Sequence, residues 1–147
     1  MIERATGILI DAAGAALRAD AGVIAAFGDK PVKVMEVVPE AGPTKTPAYP
    51  YVTFGAAEKR RLKEYCGAAR ARVTLFVQVW DSNRSIRRVS DIAEACELPL
   101  IRLVLDPSTN IRLTAREHQL TRCNYDAERQ LLYGLCQIEF EVSALTA

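Results

Sequence analysis

The chain has 147 residues, half of them hydrophobic, and a formal net charge of +1. That length predicts one domain, spanning 1–147, with a core that needs no metal or disulfide staples. The near-neutral balance gives no general electrostatic case for nucleic acid or a membrane surface, and no apolar run approaches the roughly 20 residues that span a bilayer.

The N-terminal stretch MIERATGILIDAAGAAL is a poor signal peptide, because Glu3 and Asp11 interrupt it. It reads better as an amphipathic helix over about Glu3 to Arg18. Its apolar stripe is Ala5, Ile8, Leu9, Ala12, Ala16 and Leu17. A chain without a signal is expected to be made in a cytoplasm, where Cys66, Cys96, Cys123 and Cys136 stay reduced. They form no C-x-x-C pair, and Cys96 and Cys136 fall on expected core faces. Asp20 caps a short second helix ended by Gly28, and a strand over Val32–Val38 follows.

Residues Pro39 to Pro50 carry four prolines in twelve positions, which excludes helix and central strand. Tyr51–Ala57 is expected as a strand with Val52, Phe54 and Ala56 on one face. The segment after it concentrates Lys59, Arg60, Arg61, Lys63, Arg70 and Arg72 against Glu58 and Glu64, the one local basic excess. It reads as a projecting hairpin tip or loop. As a phosphate contact it would bind in a salt-dependent, sequence-blind way; the alternatives are a solvated loop or a contact with an acidic protein surface.

The strand Val73–Trp80 is the most informative stretch. Val73, Leu75, Val77 and Val79 share one face; Thr74, Phe76, Gln78 and Trp80 share the other. Two aromatics beside two polar groups make neither a clean core face nor a clean solvent face, and suggest a surface that meets something else, another chain being one such partner. Ser82 or Asn83 then caps a helix from about Arg84 to Glu97 with the buried stripe Ile86, Val89, Ile92, Ala93 and Cys96. Pro99 is expected to stop it, leaving Ile101–Leu105 open between strand and helical turn. DPSTN (Asp106–Asn110) is a turn. Strands over Ile111–Asn124, kinked near His118, and Gln130–Ser143 complete the chain. In the last, Leu132, Cys136, Ile138, Phe140 and Val142 alternate with Gln137, Glu139 and Glu141. The fold class is α+β: an antiparallel sheet of four to five strands packed by two to three helices.

Motifs of catalysis are missing. There is no G-x-G-x-x-G, Walker A, H-E-x-x-H or G-x-S-x-G pattern. The one histidine, His118, has no partners at metal-ligand spacing. Cys123 lies five residues on and is expected on the opposite strand face, out of reach as a nucleophile. Glu139 and Glu141 read as solvated or interface carboxylates rather than an acid/base pair. No cofactor, metal or catalytic residue is assigned.

Four pieces taken together resemble the tail-terminator (tail-completion) proteins of long-tailed bacteriophages and gene transfer particles. They are Pro50-Tyr51-Val52, VTLFVQVWD (Val73–Asp81), RRVSDIAEAC (Arg87–Cys96) and LTRCNYDAERQLLYGLCQIEFEV (Leu120–Val142). The resemblance implies a structural virion protein, not an enzyme. It implies a homo-oligomeric, six-fold ring at the head-proximal end of the tail. Such a ring caps the tube made by the tail tube protein, ends its polymerisation and docks the head-tail connector or stopper protein. DNA passes through the lumen without sequence-specific binding, and no membrane is involved. The interface residues expected on this basis are Phe76, Gln78, Trp80, Lys59, Arg60, Arg61, Lys63, Glu139 and Glu141. The competing readings are another neck component, such as a head-completion or stopper protein, and a cytoplasmic ligand-binding α+β domain. The partner bound separates the first, and a pocket of convergent polar groups would mark the second.

Overall fold

A computed structural model describes residues 2–36, 49–62, 69–82, 86–128 and 130–145. A 3-10 turn (Ile2–Arg4) leads into α1 (Ala5–Ala19) and α2 (Ala21–Phe27). Ala5, Leu9, Ala13 and Leu17 are buried, a stripe at spacing four whose small residues let α1 lie close to its neighbours. The Asp20 carboxylate accepts from the Val23 amide at 3.0 Å, the expected cap. Gly28 ends α2 at φ +67°, a conformation that glycine adopts without strain.

The sheet contains β1 (Val34–Met35), β2 (Tyr51–Arg61), β3 (Arg70–Asp81), β4 (Ile111–Asp126) and β5 (Leu131–Ala144), in the order β1-β2-β3-β5-β4. All neighbours are antiparallel except β1 and β2, so the sheet is mixed at that end. Among the described residues of the expected strand Val32–Val38, Val34 and Met35 pair; Val37 and Val38 lie outside the described residues. Arg18 Nη2 donates to the Val34 carbonyl at 2.8 Å and ties α1 to this edge. The proline-rich loop lies outside the described residues up to position 48, as do Lys63, Cys66 and Asn83.

One expectation is corrected at the basic segment. Residues 58–61 and 70–72 are paired strand, not loop: β2 continues to Arg61, which sits opposite Ala71 of β3. Charge does not end a strand when its backbone is paired along one edge, as here with β3, and the side chains reach water.

The helices cover one sheet face. α3 (Ile86–Ala95) buries Val89, Ile92 and Ala93, and Cys96 beyond it, whereas Ile86 is half exposed. Gly134 of β5 explains how closely α3 approaches: a Cβ there would stand 2.8 Å from Val89 Cγ1 and 3.3 Å from Ala93 Cβ. Pro99 does not end helical structure. The chain breaks at Cys96 and rewinds as α4 (Glu97–Ile101), with Pro99 in its first turn, where the missing N–H has no intrahelical role. Arg102–Asp106 then runs without regular structure into a 3-10 turn, Pro107–Thr109.

The core joins the helices to Val73, Leu75, Val77 and Val79 of β3 and Cys136, Ile138, Phe140 and Val142 of β5. These are the two alternations read from the sequence. β4 carries register irregularities between Leu113 and Ala115 and between His118 and Leu120. The second is the kink expected near His118, and it overturns one expectation. The extra residue re-phases the strand, so His118 and Cys123 stand opposite Ile138 and Gly134 and share the helix-covered face. Four rungs, about 13 Å, still separate them.

Candidate functional site

The face of the sheet away from the helices has two halves. Near the β2–β3 hairpin it is charged. Arg60 stands directly opposite Arg72, and Arg72 Nε lies 3.2 Å from Glu139 Oε1. Arg70 pairs with Glu141. Gln119, the extra residue of the second irregularity, donates to Glu139 at 3.0 Å and accepts from Gln137 at 2.6 Å. Thr114 donates to the Glu141 carbonyl at 3.2 Å. Glu139 and Glu141 are thus engaged by arginines one strand away, each across a diagonal of the ladder. The Arg70 guanidinium, first of all, holds the Glu141 carboxyl below its ordinary range.

Strand alternation divides the three cations of β2. Arg60 joins the open face. Lys59 and Arg61 turn to the helix side, where Lys59 Nζ donates to the carbonyls of Ile2 and Glu3 at 3.3 Å. Arg61 Nη2 reaches Glu3 Oε1 at 2.8 Å.

Farther along, the open face becomes apolar. Phe76, Leu120, Tyr133 and Leu135, with Gln78, Gln137 and Arg122, line a shallow depression of about 380 Å³. Trp80 lies beneath this surface rather than on it. It is 4 % exposed, its ring centroid is 4.9 Å from that of Tyr133, and its Nε1 donates to Thr53 Oγ1 at 3.1 Å. The Thr53 hydroxyl in turn donates to Gln78 Oε1 at 3.2 Å. Burial raises the Tyr133 phenol pKa, with Gln78 opposing. Sequence alternation places Trp80 on the correct face; the depth at which it sits follows from Tyr133 and Thr53 on neighbouring strands.

Nothing here is arranged for bond-making. His118 Nε2 is 2.7 Å from Thr121 Oγ1, which donates to Glu97 Oε1 at 2.6 Å. This cluster joins α4 to the kink of β4. Among the described residues no group of three His, Cys, Asp or Glu side chains is placed to hold a metal ion. No helix of the described residues is long and apolar enough to cross a membrane.

The core is completed on one sheet face, and a sheet of mixed charge and aromatic groups is left open on the other, which defines an α+β protein with one uncovered sheet face. Residues 12–143 match the family described as tail completion protein gp17, and the chain belongs to that family. The family is one of structural virion proteins of phage-type tails, not of enzymes. The chain is also similar to one in the solved structure "Virion of native gene transfer agent (GTA) particle". The two are 20 % identical with a TM-score of 0.76, over 95 % of this chain and 97 % of that one. At this identity the likeness concerns the fold. No curated protein gives a significant match.

Proposed function

We propose that the whole chain, 1–147, is one tail-terminator domain and the subunit of a six-fold ring at the head-proximal end of the tail. The ring caps the tail tube, stops its growth and presents the docking surface for the neck. DNA crosses its lumen without base-specific contact. The protein is made in the host cytoplasm and resides in the virion.

The observation that carries this reading is the match to the tail completion family over residues 12–143. The open sheet face supports the self-association it requires. Ring closure needs a heterologous contact, and Phe76, Gln78, Arg60, Glu139 and Glu141 are the residues on that face offered to a neighbour. Lys59 and Arg61 support the hairpin within the subunit, and Trp80 backs the apolar half from below.

Tails assembled without this protein test the reading by electron microscopy. Tubes of uncontrolled length, unattached to heads, are the expected result. Tails of regular length joined to capsids would overturn it.

A further inference from the structure

A second surface of the subunit stands out on the helix side. Leu103 and Leu105 are buried at 4 % and 8 %, while Val104 between them is 78 % exposed. Arg116 Nε holds the Leu103 carbonyl at 2.8 Å, fixing this segment against β4. Arg102, which caps the end of α4, and Asp106 are exposed like Val104 on the chain between them, so Arg102, Val104 and Asp106 are turned outward together. Leu98 and Ile101 of α4 are also exposed, at 51 % and 37 %. The result is a convex apolar knob with a cation on one side and an anion on the other.

The open sheet face carries the complement. Along β4, Glu117, Leu120 and Arg122 stand opposite Glu139, Gln137 and Leu135 of β5. Glu117 and Arg122 are therefore four rungs apart, about 13 Å. Arg102 and Asp106 are separated by no more than about 13 Å of chain. Leu120, at the edge of the depression, lies between its two charges as Val104 lies between its own. Glu117 also faces the like charge of Glu139, an arrangement that a cation from outside relieves. Among the described residues Glu117, Arg122 and Arg102 take part in no ion pair.

We infer that the Arg102–Val104–Asp106 knob of one copy seats on the Glu117–Leu120–Arg122 face of the next, Arg102 against Glu117 and Asp106 against Arg122. The occupant of the sheet depression is a second copy of this chain. The inference rests on the ring reading and deepens it by naming both halves of the contact. Pairing two sheet faces would leave the knob bare. The head-to-tail arrangement covers both patches with one contact per subunit when it closes, and an open chain of copies keeps one knob and one face to fill.

Disulfide trapping tests it. The double variant Val104→Cys/Leu120→Cys, oxidised as concentrated protein and in assembled tails, is expected to give a ladder of multimers on a non-reducing gel. The native chain, run alongside, accounts for its own cysteines. Either single variant alone gives no ladder, and their equal mixture stops at dimers. In a separate arm, Glu117→Arg weakens self-association about tenfold and Arg102→Glu in the same chain restores it. Dimers from Leu120→Cys alone, or no ladder in material that light scattering or controlled tail length shows to be assembled, would overturn the contact while leaving the ring standing. Failure to assemble under every condition, with tails of normal length in its absence, removes both.

Discussion

Arg88 of α3 grips Asp81 at the end of β3 with two hydrogen bonds, Nε to Oδ2 and Nη2 to Oδ1, both at 2.6 Å. The Asp81 side chain is fully buried, and the Arg88 side chain is 30 % exposed. The pair raises the Arg88 pKa, chiefly through the hydrogen bond to Asp81. It ties the end of β3 to the first turn of α3 and sets where that helix begins its path over the sheet. Arg88→Ala leaves a buried carboxylate without its guanidinium, so a loss of roughly 2–4 kcal/mol is expected, somewhat below a fully buried pair. Arg88→Lys recovers only part, because an ammonium cannot make the fork. Urea unfolding of the three proteins checks this.

Gly134→Ala is expected to cost about 1–3 kcal/mol by overpacking. Its methyl would press on Val89 Cγ1 at 2.8 Å, between a strand and a helix that are both held in place. The partner change Val89→Ala in the Gly134→Ala background should return part of that loss. A double-mutant cycle on unfolding midpoints measures it.

Burial pushes the Cys136 thiol pKa up to about 12 and that of Cys96 higher still. Burial also raises the half-buried Cys123. Alkylation at pH 8 is therefore expected to spare Cys96 and Cys136 in the native protein and to modify both after denaturation. Peptide mass spectrometry reads each site separately.

The Glu141 carboxyl is held below its ordinary range by Arg70. A depressed folded-state pKa contributes stability that is present above the ordinary carboxylate pKa and disappears as pH falls through the lower value. Glu141→Gln should therefore be less stable than the native chain at pH 7, with the difference shrinking below about pH 4. Thermal melts across pH 3–7 follow it, and added salt should narrow the gap at neutral pH.

Alternation and local capping are legible in the amino-acid sequence alone: the buried faces of β3 and β5, the Asp20 cap, and the kink near His118. Features set by a neighbouring strand are not. Nothing near Lys59 in the chain says that it and Arg61 cap the N-terminal turn while Arg60 faces the other way, until β2 is known to continue through the charged run. A one-residue irregularity also turns Cys123 to the face of His118, which period-two counting cannot see. Pro99 reads as a terminator because the proline rule is local; a fresh helix starting two residues earlier accommodates it. On the open face, Phe76 and Gln78 are legible as surface, whereas the burial of Trp80 depends on Tyr133, more than fifty positions away.

The two irregularities in β4 bear on how copies of this protein avoid the wrong partners. β4 is the outermost strand on its side of the sheet, and sixteen residues of straight backbone there would template endless lateral growth into fibrils. Interrupting the ladder twice and lining it with Arg112, Arg116, Glu117 and Arg122 spoils that template. A copy meeting this edge finds a rim along which the ladder is poorly continued, so lateral association through backbone pairing is disfavoured.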